Sequence, residues 1–253
     1  MIRIVPAFLL MALFASCSET ISESYSIKGS SVLPDGKLYL LAQRDSTVKS
    51  IDSCDVVHGA FALNGRIDST TIGQLIMEQF FAIPVVLEQG DIKVTIERTT
   101  KRVSGTLLND QLYDYLDKHI QLINRSHELE RRATQMLLEG YDEQEISRQI
   151  QAEQAVLPRQ KDSLETHFIV ANFDNVLGPF AFQMLTEEIM QMVGYPVMTP
   201  QLEEIMMKAT DRFRANEYVS GYCHAANDIM ARIKEQQQQE AELDNSLPAQ
   251  YQP

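Results

Sequence analysis

The side chains with the means to do covalent or acid–base chemistry are few. Cysteines stand at 17, 54 and 223, and histidines at 58, 119, 127, 167 and 224. No two cysteines are spaced C-x-x-C, the arrangement in which an attacking thiolate has a resolving thiol at hand. Cys54 lies in Asp52-Ser53-Cys54-Asp55, where flanking carboxylates raise a thiol pKa, so it reads as a small packed residue. Cys223 adjoins His224, but consecutive helical residues point in different directions, and the imidazole is poorly placed to activate that thiol. A disulfide between Cys54 and Cys223 in an oxidising compartment stays open. The histidines show no H-E-x-x-H spacing. His119 and His127 would lie about 12 Å apart along a helix, too far for one metal. His58, beside Gly59, reads as a hairpin residue. The pairs Glu187-Glu188 and Glu203-Glu204 read as solvated helix faces. With no phosphate-cradling glycine loop or nucleophile elbow either, the sequence names no catalytic, cofactor-binding or metal-binding residue, and the expectation is a non-enzyme without a cofactor.

One cysteine does have a chemistry written around it. Arg3 precedes an apolar run from Ile4 to Phe14, too short to span a bilayer but suited to the core of a signal peptide. The run ends in Phe14-Ala15-Ser16-Cys17, which resembles the bacterial lipobox, a bulky apolar residue and two small ones before cysteine. That resemblance implies a signal peptide over 1–16, cleavage before Cys17, and palmitate-type acylation of Cys17. The result would be a lipid-anchored protein of the cell envelope, with the outer membrane as the expected address. Residues 17–24 then form a polar tether.

The remaining chain must supply the fold. With 22 basic and 35 acidic residues among 253, the net charge is −13, which argues against nucleic acid as a partner. The length suffices for a sizeable core. From Tyr25 to about Val103, short β-rich runs alternate with turns such as Pro34-Asp35-Gly36, His58-Gly59 and Asn64-Gly65. About seven strands at this spacing predict an antiparallel β-sandwich or partial barrel, with Pro84 at a strand start or edge. Beyond Gly105 the apolar period becomes helical. Asn109 reads as a helix cap and Asp142 with Glu145 as a second helix start. Pro158 is expected to kink or break that helix. Asn172 to Asn175 form a turn, and a helix covers Gly178 to Met192. Thr199-Pro200 opens a helix to about Ala215, and the last covers about Glu217 to Glu240. The fold class is therefore α+β, a β-domain over 25–108 and an all-helical region over 109–240, with a disordered tail over 241–253. Methionines cluster at 184, 190, 192, 198, 206 and 207, as adaptable core filler, or as a metal or partner groove.

Tyr25-Ser26-Ile27-Lys28-Gly29, Asp35-Gly36-Lys37-Leu38-Tyr39-Leu40, Gly59-Ala60-Phe61 with Gly65, Pro84 to Asp91 and Val103 to Asn109 occur in an order that resembles the domain of unknown function 4369. This module is common in envelope lipoproteins of Bacteroidota-type bacteria, where it precedes helices and a thioredoxin-like, TlpA-type domain. Phe168 to Gly178 also resembles the helical segment of such proteins. The lipobox, the resemblance and the lack of a catalytic constellation together lead to the expectation of a non-catalytic binding or scaffold role in the envelope. As an alternative, the resemblance implies an accessory of an envelope thiol-redox, TlpA-type pathway acting with a separate thioredoxin-like protein. The partners implied are the membrane, through Cys17, and an envelope protein.

Overall fold

The computed structural model describes residues 23–44, 47–77 and 81–246. Its described residues form eight strands followed by six helices. The expected signal peptide, Cys17 and residues 247–253 of the expected tail lie outside them. The strands are β1 (Glu23–Ser31), β2 (Gly36–Arg44), β3 (Thr47–Val56), β4 (Ala60–Ile67), β5 (Thr71–Met77), β6 (Phe81–Leu87), β7 (Gly90–Ile96) and β8 (Lys101–Ser104). They make two four-stranded sheets, ordered β4-β1-β7-β8 and β3-β2-β5-β6, so the α+β fold opens with a sandwich. Alternation does the sorting. Phe61 and Leu63 of β4, Leu75 and Met77 of β5, and Ile92 and Val94 of β7 all point into one core.

Three details depart from the sequence reading. β8 was not among the expected strands, and β1 starts at Glu23, inside the expected tether. The sandwich is also not wholly antiparallel, because β1 pairs parallel with β7. The chain leaves β1 for the other sheet, returns antiparallel beside it as β4, and returns again as β7 on its other side. That long detour is what a parallel pair requires.

The β1–β4 ladder carries a reciprocal arrangement. Tyr25 stands opposite Gly65, and Gly29 opposite Phe61. A Cβ on Gly65 would lie 2.4 Å from the Tyr25 hydroxyl oxygen, and one on Gly29 would lie 2.0 Å from the Phe61 ring. Each strand thus lays an aromatic ring over the bare backbone of the other, which shields that backbone and pins the register. Gly29→Ala is expected to lose about 1–3 kcal/mol through overpacking. Chemical denaturation checks this, and Phe61→Leu in the same chain should return part of the loss by vacating the space.

The helices are α1 (Leu107–Leu138), α2 (Glu143–Ala171), α3 (Leu177–Val193), α4 (Pro200–Lys208), α5 (Asp211–Arg214) and α6 (Glu217–Ser246). Asp142 caps α2, accepting from the Glu145 N–H at 2.8 Å, and Thr199 caps α4 with Pro200 behind it. Pro158 does not end α2, which runs through it. Proline removes one backbone bond, but Pro158 faces solvent while Ile150 and Leu157 hold the helix against α1. The helix expected to reach Ala215 stops at Lys208, since Thr210 caps the short α5 by accepting from the Phe213 N–H. The last helix continues to Ser246, beyond its expected end at Glu240 and into the expected tail.

Asn109 is not the cap of α1; Thr106 holds that position, without a side-chain cap bond. The Glu88 carboxylate instead accepts from the Leu108 and Asn109 N–H groups, a negative charge at a helix N-terminus. Asn109 is fully buried and behaves as a further rung of the sheet. Its Oδ1 accepts from the Val86 N–H and its Nδ2 donates to the Val86 carbonyl, both at 2.8 Å. One turn on, the Tyr113 hydroxyl donates to the Pro84 carbonyl. β6 is an edge strand, where Pro84 was expected, and α1 covers it.

Candidate functional site

Among the described sequence candidates, Cys54 and Cys223 are both free thiols. Cys54 packs against the sandwich core and Cys223 against a separate helical core. Burial pushes both thiols up, with Asp52 and Asp55 adding to the rise at Cys54, so thiolate is scarce at neutral pH. His58 and Gly59 form the β3–β4 turn, both at positive φ. His127, His167 and His224 are exposed, as are Glu187, Glu203 and Glu204.

His119 and Glu188 behave otherwise. The His119 Nε2 lies 2.8 Å from Oε1 of Glu165, which is 1% exposed. The Lys161 ammonium bonds the same carboxylate at 2.8 Å and Glu188 at 3.0 Å. Gln201 donates to the other Glu165 oxygen at 3.1 Å. The cluster thus draws one side chain from α1, two from α2, and one each from α3 and α4. Burial alone would raise the Glu165 carboxyl, but hydrogen bonds from His119 and Lys161, the Lys161 charge and Gln201 hold it below its ordinary value. The same pairing outweighs burial at Lys161 and raises it. Ligand atoms of His119, Glu165 and Glu188 lie within 4.8 Å of one another, close enough to share a cation, and Lys161 already supplies a positive charge there. Tyr115 stacks on Phe168 beside the cluster, ring centroids 4.0 Å apart. The sequence reading passed over this group because Glu165 is 46 positions from His119. Its signal was the i,i+4 pair Lys161–Glu165 set in the inner stripe of α2 between Leu157 and Ile169.

One of the helices so fixed, α3, joins α6 in walling a cleft of about 940 Å³ against the sheet. Its floor is β2 and β5, with Leu41 and Ile72 half-buried on the face turned from the sandwich core. Its walls are α3, through Val176, Pro179 and Phe180, and the start of α6, through Tyr218, Gly221 and Tyr222. The α6 wall is pinned. The Tyr222 hydroxyl donates to the Val197 carbonyl at 2.9 Å, and its ring meets Phe182 edge-on. Asn216 caps α6, accepting from the Tyr218 and Val219 N–H groups. Of the clustered methionines, Met190 lines the cleft, while Met192 and Met207 are exposed. No described helix is long and apolar enough to cross a membrane.

No curated protein and no solved structure matches the chain. A family model described as Domain of unknown function (DUF4369) matches residues 25–112. That span takes in the reciprocal glycine–aromatic pairs, the edge-covering Asn109 and the first turns of α1. It stops short of the later helices, whose likeness to the family's helical segment gains nothing from it. The matched span ends after the helix has docked on β6, and residues 25–112 of this chain match the DUF4369 family.

Proposed function

We propose that this protein is a lipid-anchored binding module of the cell envelope, tethered to the outer membrane through acylated Cys17 and acting by holding a ligand in the cleft between sheet and helices. The observation that carries this reading is the cleft itself. A helical layer is tied together by a buried ion cluster and held on the sandwich, yet it leaves about 940 Å³ open between them, at the upper end of the range for ligand sites. The raised thiols at Cys54 and Cys223 favour binding over thiol exchange.

The test is a photo-crosslinking residue at Gln74, an exposed position on the cleft floor, carried by the full chain in intact cells. An adduct is expected from Gln74 that is absent with the crosslinker at exposed His127. Palmitate labelling should be present with Cys17 and lost in Cys17→Ala, together with most of the adduct. Equal yields from positions 74 and 127 would defeat the binding reading, and unchanged lipid labelling in Cys17→Ala would defeat the anchor.

A further inference from the structure

We infer that the cleft takes an uncharged, predominantly apolar small molecule, and that Gly221 keeps the space it occupies open. This rests on the binding role above and names its ligand class. The first argument is charge. Among the described lining residues the one ionisable carboxylate is Glu217 and none is basic, while Glu217 already has an interaction of its own. Among these residues a charged ligand would leave water without a counter-charge, which is costly.

The second argument is hydrogen bonding. Over Leu38–Ala42 and Gly73–Met77 the floor strands β2 and β5 are paired on both sides, so their backbone there offers nothing to an added peptide strand. Several polar lining groups are also engaged. Asn216 caps α6, Tyr222 holds Val197, Tyr218 meets Thr186 at 2.9 Å, and Gln183 donates to Glu187 at 2.7 Å. A peptide would bring in a row of amides with few partners, whereas an apolar molecule forfeits little.

The third argument is Gly221. A glycine inside a helix weakens it relative to alanine, and is ordinarily explained by the close approach of another element. Here a Cβ at 221 would meet no described atom within 4 Å beyond its chain neighbours and its own helix backbone. No contact among the described residues requires the glycine, and it borders the cleft. The missing side chain is accounted for if an occupant fills that notch.

The experiment uses the full chain carrying Cys17→Ala, with the neutral fluorophore N-phenyl-1-naphthylamine as probe. Saturable enhancement is expected in this background. Gly221→Leu should weaken binding by about tenfold or more, as a bulky side chain fills the notch, with no fall in thermal midpoint. Gly221→Ala should raise the midpoint and weaken binding less. Dodecanol should displace the probe, and dodecanoate and dodecylammonium should do so poorly. Equal probe affinity in Gly221→Leu, or equal displacement by the charged chains, would overturn the inference. If Gln74 crosslinks in cells but the probe does not bind, the ligand class is wrong and the binding role stands. A protein-sized adduct lost in Gly221→Leu would likewise give the cleft to a polypeptide. If neither adduct nor probe binding appears, both readings fall.

Discussion

Replacing Glu165 with alanine is expected to cost about 3–5 kcal/mol of stability, the range for removing one member of a buried ion pair. Glu165 is 1% exposed and accepts from His119, Lys161 and Gln201. Without it, Lys161 keeps only Glu188, and four helices lose their common point. Urea unfolding reads the loss, and pairing the substitution as Lys161→Met with Glu165→Leu should recover much of it by removing the unmatched charge. The pH dependence has a definite sign. The folded Glu165 carboxyl titrates below its ordinary value of 4.5, so its contribution is complete above that value and is lost as the pH falls through the folded one. Stability should therefore drop on acidification below 4.5, and Glu165→Gln should remove that share of the drop while lowering stability at neutral pH. A Glu165→Gln curve parallel to wild type through this window would show that the carboxylate is not held by its partners.

The second large effect is expected at Asn109. Asn109→Ala should cost about 2–4 kcal/mol, because it strands both the N–H and the carbonyl of Val86 in the interior, at about 1–3 kcal/mol for each unsatisfied group. The informative companion is Asn109→Asp. A carboxylate can still accept from the Val86 N–H, but it cannot donate to the Val86 carbonyl that Nδ2 now serves at 2.8 Å, and its charge would be buried. Aspartate should therefore do no better than alanine. If Asn109→Asp unfolds near wild type, the amide is not acting as a rung. Amide exchange at Val86 provides a local check, since protection there should fall in both variants before it falls at interior β2.

Much of the β half was legible, because a half-buried strand repeats every two residues and a hairpin turn advertises itself. Ile92, Val94 and Ile96 alternate inward as their spacing says, and His58-Gly59 turns where expected. The parallel partnership of β1 and β7 was not, since a period of two is the same whichever way the neighbour runs. Asn109 misled for a related reason. An asparagine before an apolar helical stripe is a local cap signal, and its true partner is 23 residues upstream. Pro158 read as a break because a proline's lost bond is local, whereas the apolar seam that keeps α2 continuous is not. Of the cluster, only Lys161 with Glu165 left a trace in the sequence, a charged pair on an otherwise inward stripe. The cleft left almost none beyond a glycine inside a helix, because its two walls meet only in three dimensions.

The central place of β1 has a mechanical consequence. Its first residue is Glu23, and β1 is bonded along its length to β4 on one side and β7 on the other. A pull transmitted through the N-terminus runs along this strand, parallel to both interfaces. It loads the two ladders in shear, so that their bonds bear the force together. An edge strand, or a hairpin pulled crosswise, would instead unzip one bond at a time. A domain pulled by its middle strand can bear the load and keep its shape.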